Sequence, residues 1–412
     1  MNRDQLQSLL ENGENSGLEW KRDDLTGEKL AKELAALLNL EGGHILLGVE
    51  DDGTVSGLAR SPADAERWVM EVARTHLRPP AIPYWETILW DQHKVVGVIT
   101  VSADAPDKPY KVKRGSAWVT QVRVGTTSRD ASDDEEARLY QQSGRIQYDR
   151  RPLPGSSPAD LDFRRLRDYF ANIRRQDHPA EHDADGWQRL LINTEILTED
   201  RGRALVGVGG MLLFGLRPSR FLPNAGINAA AYQGTVKDYD AKERTVLRGP
   251  LVGLFAADGS LVESGIIEQA LEFVRRNTRM QAHTDEHGRR QERWDYPLDA
   301  VREAVVNAVA HRDYTIHVAD IELSLFADRI EVLSPGRLPN TVTVDKMRAG
   351  YRASRNELIK EVLRDYRYVE ANGLGVPRKI IAGMRAHNGT EPELVEEDER
   401  FLVRLWREAK TP

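Results

Sequence analysis

Along "TGEKLAKELAALLNL" the apolar residues Leu30, Leu34, Leu37 and Leu38 recur at helical spacing, behind a cap at Thr26 or an upstream acid. The next stretch, "GGHILLGVEDDGTVSGL", predicts a buried strand, an Asp-Asp-Gly turn and a second strand. Gly42, Gly43 and Gly48 there serve a tight helix-to-strand connection and close packing, because they open a strand rather than a helix. A first helix from Arg3 to Glu11 and a short strand in "SGLEWKRD" precede this core pattern. After it come a helix in "SPADAERWVMEVARTHL", strands around "PYWETILW" and "HKVVGVITVS", a basic strand pair and the acidic helix "SDDEEARLYQQ". Together they predict an α+β unit of about 145 residues, a usual domain size.

"YDRRPLPGSSPADLD" is rich in Pro, Gly and Ser and predicts a linker that ends in a helix cap. A mixed α/β middle region follows. It holds an Arg-rich helix from Asp162, a helix near Trp187, strands in "ALVGVGGMLLFG" and "AGINAAAYQG", and a helix from Leu261 to Arg276. Beyond the polar loop "HTDEHGRRQER", the helix "YPLDAVREAVVNAVAHRDY" opens a last unit. That unit continues with two strands in "DIELSLFADRIEVLSP", a helix in "NELIKEVLRDY", the segment "EANGLGVPRKIIAGM" and a closing strand "RFLVRLW". The expected organisation is an α+β multidomain chain divided at 1–145, 146–290 and 291–412, without internal repeats.

Composition narrows the chemistry. The chain has 412 residues and no cysteine, which excludes disulfides, thiol catalysis and thiolate zinc sites. No run of about 18 apolar residues occurs and the first residues are polar, so neither a membrane span nor a secretory signal is expected, and the cytoplasm is the expected location. A net charge of -7 gives no global attraction to nucleic acid. A local basic stretch does: from Lys108 to Arg129 the chain carries Lys108, Lys111, Lys113, Arg114, Arg123 and Arg129 with no acid, interleaved with Tyr110 and Trp118. Alternation in "WVTQVRVG" places Arg123 and Gln121 on one face, expected to be an outward basic ribbon. The plainer reading is an edge strand guarded by charge, with both aromatics in the core. The arginines at 164, 165, 167, 174 and 175 are expected to be a wet surface.

On the helix that opens the last unit, Leu298, Val301, Val305, Ala308 and Val309 share one face, and Glu303, Asn307 and His311 form a stripe roughly opposite. Ala300, Ala304 and Ala310 flank the stripe where a wet face would carry Lys and Glu, which leaves room for a ligand. Glu and Asn at i and i+4 project to the same side, so the amide can coordinate magnesium between phosphates while the carboxylate orients water. Farther on, "NGLGVPRKI" sets two glycines before a helix, where bare amides can hold phosphate. A solvated face and a simple helix cap are the alternatives, and His311, Arg312 and Asp313 also suit a helix end near the negative pole of its dipole.

"REAVVNAVAHRDY" and "GLGVPRKII" resemble the Asn-bearing helix and glycine lid of the GHKL ATPases. With "EVLSPGRLP" they more closely resemble a divergent branch found in bacterial ATP-binding transcriptional regulators. The resemblance implies a GHKL-like α/β sandwich that binds ATP and Mg, with Glu303 as the water-orienting base of a weak ATPase and Asn307 as the magnesium ligand. Gly373 and Gly375 would form the lid, and His311, Gly336 and Arg378 would complete the nucleotide contacts. The family's adenine-reading Asp-x-Gly-x-Gly turn is not present, and Ser334 stands where its acid is expected.

"ENSGLEWKRD", "LAALLNLEGGHILLGVEDDG" and "VRVGTTS" resemble the Schlafen-type AlbA-like domain through nearly all of the first unit. This implies nucleic-acid binding, DNA before RNA, for which Lys108, Lys111, Lys113, Arg114 and Arg123 are the candidate contacts. Some Schlafens cut tRNA-like RNA with three carboxylates, which correspond here to Glu14, Glu19 and Asp51, with Asp52 as a substitute neighbour. Converging on a divalent ion, these would activate water. As ordinary residues, Asp51 and Asp52 suit a turn, Glu14 a surface and Glu19 an ion pair. The expected function is a nucleic-acid-binding, ATP-binding regulator, by resemblance a homodimer, whose DNA affinity ATP modulates. The alternatives are a metal-dependent endoribonuclease and a scaffold in which both sites have decayed.

Overall fold

A computed structural model describes residues 2–40, 42–102, 107–143, 147–284, 290–338, 343–351, 354–369, 374–397 and 399–407. The chain divides into two compact units, Met1–Ile146 and Gln147–Pro412, each mixing helix and sheet.

In the first unit the helix Gly27–Asn39 starts where Thr26 accepts the Lys29 N–H at 3.4 Å, and it buries Leu30, Leu34, Leu37 and Leu38 as their spacing predicts. Two four-stranded sheets surround it. One runs in the order Leu18–Lys21, Gly43–Leu47, Val95–Val101, Tyr84–Leu89, and only its first pair is parallel. The other is antiparallel: Leu77–Arg78, Lys111–Arg114, Ala117–Val124, Thr127–Asp130. The expected hairpin around the Asp-Asp-Gly turn shrinks to an isolated bridge between Val49 and Val55. Both edges of Gly43–Leu47 are taken by the strands beside it, so no long partner is needed across the turn.

Gln121 and Arg123 do share a face, but it is the inner one, and they are only 1% and 5% exposed. The guanidinium of Arg123 donates to the carbonyls of Asn15 and Leu18 and lies 2.6 Å from Glu19 and 3.3 Å from Glu33. Burial pushes the Glu33 carboxyl above its usual range, against the pull of its Ser128 hydrogen bond. Alternation fixes which residues are companions, while the side they face depends on where Gly27–Asn39, the helix that carries Glu33, packs.

The second unit is built on a six-stranded sheet in the order Ala241–Leu247, Ile227–Tyr232, Ile321–Leu325, Arg329–Pro335, Arg400–Trp406, Glu393–Glu397. Only Ile227–Tyr232 and Ile321–Leu325 run parallel. Residues from both sides of position 290 build this sheet, so the middle region and the last region share one core. "ALVGVGGMLLFG" is a strand only over Arg203–Val206 and then a fully buried helix, Val208–Phe214. A short apolar run has no periodicity to tell these apart. Gly210 lets that helix approach closely, since a Cβ there would stand 2.4 Å from the Ile196 carbonyl oxygen.

At the sheet's inner face lies the helix Leu298–His311, buried on nearly every side. Its exit is pinned by Arg312, 1% exposed, which donates to the carbonyls of Asn224, Ile316 and Ala319. Asn356 donates to the carbonyls of Ala310 and Arg312 and so fastens the helix Glu357–Asp365 to the same turn. Asp149, fully buried, accepts the Ile359 N–H at 3.2 Å in the first turn of that second helix. Burial raises its carboxyl to about 6, against the backbone N–H groups that favour the charge.

Two stability measurements follow from these burials. Arg123→Ala leaves Glu33 without its guanidinium and Glu19 with Lys21 alone and lowers stability in urea by about 3–5 kcal/mol, whereas Arg114→Ala, at an exposed pair with Asp130, costs less than about 1 kcal/mol. Asp149 has a folded pKa above its unfolded one, so its proton stabilises the fold below about pH 4, and that contribution is lost as pH rises through about 6. Urea titrations at pH 4 and pH 7 will show the stability of Asp149→Asn rising relative to the parent, by on the order of 3 kcal/mol at most.

Candidate functional site

On the helix Leu298–His311 the small Ala304 and Ala308 leave free space beside the polar stripe. Glu303, Asn307 and His311 all face that space, a cavity of about 130 Å³. Its remaining wall comes from the strands through Val332, Ser334, Leu394, Phe401 and Val403, and from the segment Gly375–Ala382 through Val376 and Ile380. A void of this order accommodates a ring-sized apolar group, as about 150 Å³ does for benzene.

One end of the cavity is charged. Glu303 is 6% exposed, an acid inside a core helix. Asn307 Nδ2 donates to its Oε1 at 3.1 Å, and Lys379 Nζ stands 3.7 Å from its Oε2. Gly375 presses its backbone on the same carboxylate, where a Cβ would come within 1.8 Å of Oε1. Only glycine fits there. Gly375 opens a π-helical stretch, Gly375–Ala382, a wide-turn geometry common at functional sites. Because Asn307 spends its Nδ2 on Glu303, its Oδ1 is left as the atom that a hard cation takes. The pair therefore fits magnesium. Gly373 lies outside the described residues. Arg378 is exposed and does not line the cavity, and the neighbouring Lys379 faces Glu303 instead.

Eight residues along the helix, about 12 Å at 1.5 Å per residue, lies the other end. There His311, Ser334 and Gly336 are among the lining residues. Burial, with Lys360 and Arg355 nearby, pushes His311 down to about 4, so its ring is neutral at pH 7, and its Nδ1 has no hydrogen-bond partner among the described residues. The Ser334 hydroxyl donates to the Ala308 carbonyl at 3.0 Å. Gly336 adopts φ +107°, and a Cβ on it would collide with the buried Arg355 guanidinium at 2.3 Å. Arg312 and Asp313 turn away from the cavity into structural roles, the first as the pin already described and the second as acceptor from Thr315 N–H and hydroxyl. His311 differs from both. Sequence reasoning did not find Lys360, Arg337 or Tyr351 in the wall, because they come from loops and a helix with no local motif to mark them.

The N-terminal carboxylates are not gathered. Glu14 accepts the Trp20 N–H at 2.8 Å, Glu19 is held by Lys21 and Arg123, and Asp51 is exposed in its turn. Among the described residues no three such side chains form a group able to hold a metal ion. The basic stretch is likewise mostly spent. Lys108 is 2% exposed and donates to the Leu40 carbonyl, Lys111 pairs with Glu136, and Arg123 is internal. Lys113 and Arg114 are exposed, Arg114 in a two-point pair with Asp130 at 2.9 Å. Tyr110 is in the core, and Arg78 stacks over the half-buried Trp118.

Comparison with known proteins agrees with this division. Residues 14–132 match the Schlafen AlbA_2 family, and residues 319–405 match the HATPase_c_4 family, described as "Putative ATP-dependent DNA helicase recG C-terminal". The second match begins after the helix Leu298–His311, so the stripe lies outside it. Among curated proteins no relative matches the chain. A similar solved structure is that of the DIP2311 protein from Corynebacterium diphtheriae, at 20% identity and TM-score 0.44, covering 98% of this chain and 79% of that one. Another is the N-terminal domain of "Putative ATP-dependent DNA Helicase RecG-related Protein" from Nitrosomonas europaea, at 23% identity and TM-score 0.25, covering 32% of this chain and 94% of that one. No helix among the described residues is long and apolar enough to cross a membrane. The chain thus joins a Schlafen AlbA_2 domain, in its first unit, to a C-terminal region of the HATPase_c_4 family.

Proposed function

We propose that this protein is a nucleic-acid-binding regulator, of the transcriptional kind, whose second unit binds ATP and whose grip on DNA changes when it does. The observation that carries the reading is the cavity in which Glu303, Asn307 and His311 share one wall and Gly375 closes on Glu303. A magnesium ion held by Asn307 Oδ1 would supply charge neutralisation between phosphates. Glu303 would orient a water and hold its proton, with Lys379 beside it to neutralise negative charge and apolar walls to exclude bulk solvent. Hydrolysis through such a water makes the unit a slow ATPase.

In the first unit, the AlbA_2 match and the exposed cations on the strand pair support binding to nucleic acid. With Lys113 and Arg114 as the exposed members of the expected contact set, this surface neutralises about two phosphates, and its salt dependence is accordingly shallow. A second copy of the chain is the expected partner by family resemblance. Nothing in the carboxylate geometry favours the nuclease alternative.

Calorimetric titration with ATP and magnesium is the direct test. The parent binds, Asn307→Ala weakens binding by about tenfold or more, and Gly375→Ala does the same by displacing Glu303. Binding that both variants leave intact places the ligand elsewhere. Glu303→Gln keeps ATP affinity and abolishes phosphate release, and release that persists removes Glu303 as the base. For the first unit, duplex DNA affinity measured against salt falls with a log–log slope near -2 at most, and the double variant Lys113→Ala, Arg114→Ala flattens it. Affinity that ATP and magnesium leave unchanged contradicts the regulatory coupling.

A further inference from the structure

We infer that the first unit pairs with a second copy of the chain along the strand Tyr84–Leu89, so that the two copies continue one antiparallel sheet across a two-fold axis. The second copy expected above came from the resemblance of the last region. This surface lies in the first unit and rests on nothing in the cavity. Tyr84–Leu89 is the end strand of its sheet, paired on one side only, with Val95–Val101. That pairing runs through six residues without a bulge. Tyr84 is 65% and Leu89 63% exposed, and Thr87 between them is exposed as well. Glu86 is the strand's single charge, and no proline interrupts it. Free edges are normally guarded by charge, proline or a bulge, because their unpaired N–H and C=O groups recruit other strands. The second unit keeps to that rule: one end strand of its large sheet, Ala241–Leu247, exposes Lys242 and Arg244, and the other, Glu393–Glu397, carries three glutamates. At the opposite end of the first unit's sheet, Arg123 occupies the Leu18 carbonyl. Tyr84–Leu89 has no such guard among the described residues.

The backbone fixes the register of the pair. Trp90 N–H donates to the Lys94 carbonyl at 2.9 Å, which makes these two a hydrogen-bonded pair where the ladder with Val95–Val101 begins. Such pairs alternate along an antiparallel ladder, so Tyr84, Glu86 and Ile88 turn their backbone groups inward, and Trp85, Thr87 and Leu89 turn theirs to the free edge. A two-fold axis perpendicular to the sheet keeps each face on its own side, and outward residues must meet outward residues. Two registers satisfy this with the fullest overlap. One sets Glu86 opposite its own counterpart, a destabilising opposition of like charges. The other sets Thr87 opposite its counterpart on the axis. Leu89 then stands opposite the Trp85 of the second copy, Tyr84 opposite Trp90, and Glu86 opposite Ile88. This second register forms about six backbone hydrogen bonds and gives each exposed apolar side chain an aromatic neighbour across the join. Pairing consumes the free edge of both copies, so the assembly closes at two.

Sedimentation equilibrium of the full chain, joined to a cross-linking experiment, tests the surface. The parent sediments as a dimer. Thr87→Pro removes an outward N–H that the ladder with Val95–Val101 does not use, so the fold is kept while association weakens by about tenfold or more. If circular dichroism shows the proline variant unfolded, Thr87→Lys decides instead, since it sets two ammonium groups against each other on the axis and weakens association in the same direction. The chain has no cysteine, so Thr87→Cys introduces a single thiol. Its Cα stands about 5.5 Å from its counterpart's in a hydrogen-bonded pair, within disulfide reach, and an added oxidant yields a covalent dimer. Arg244→Cys, on the guarded edge of the second unit, yields none under the same treatment. A dimer that the folded position-87 variants leave intact, or a Thr87→Cys protein that does not cross-link, overturns the inference and leaves the expected second copy to another surface. A monomeric parent overturns both.

Discussion

A carboxylate inside a core helix is costly unless something meets it, and the second unit is arranged around that requirement. Glu303 is met by an amide from the next helical turn, by an ammonium group from the Gly375–Ala382 segment and by a glycine backbone. Those three contacts fix where Gly375 stands, and with it the closure of the cavity. The apolar body of the helix holds the acid in place through the sheet and through Arg312 at its exit. Glu303 also joins the local helix to the loop that meets it, since a change at either partner moves the other. Its burial has no clear purpose in packing alone, because a leucine in that position would fill the core without any polar partner.

Both units carry buried charge. In the first, Arg123 satisfies Glu19 and Glu33 together and adds two backbone carbonyls, so the charges lock one strand to one helix. In the second, His311 Nδ1 in the cavity wall lacks a hydrogen-bond partner among the described residues, as do Nε and Nη1 of the buried Arg355, which sits 3.5 Å from Asp313. Unsatisfied buried groups are rare in folded proteins and gather at sites that await a partner. The carboxylates of the first unit read as framework because Glu14 accepts the Trp20 N–H, Glu19 is held by Lys21 and Arg123, and Asp51 is exposed in its turn.

The stripe at 303, 307 and 311 was legible because helical spacing is a local property, whereas of the expected alanine border only Ala304 lines the cavity, joined by Ala308 from the face expected to be apolar. Gly375 was legible as a glycine that precedes a helix, although what it touches was not. The basic stretch misled for a physical reason. Alternation pairs Gln121 with Arg123, but the sequence carries no mark of the helix that covers them, and a paired arginine reads the same as a free one. Lys379 and Arg378 are adjacent, and the sequence does not mark that Lys379 faces Glu303 while Arg378 is exposed. Strand order in the six-stranded sheet is non-local as well, so the sharing of one core by residues on both sides of position 290 could not be read from composition. Ser334 stands where the family's acid is expected, and only the fold shows that its hydroxyl donates to the Ala308 carbonyl.

A crystal structure of the protein with a non-hydrolysable ATP analogue and magnesium addresses the central claim most directly. The account predicts density for the phosphates beside Asn307, Glu303 and the Gly375 backbone, and for the rest of the nucleotide along the cavity wall. A cavity that stays empty while the analogue sits elsewhere, or side chains that collapse to fill it, would contradict it.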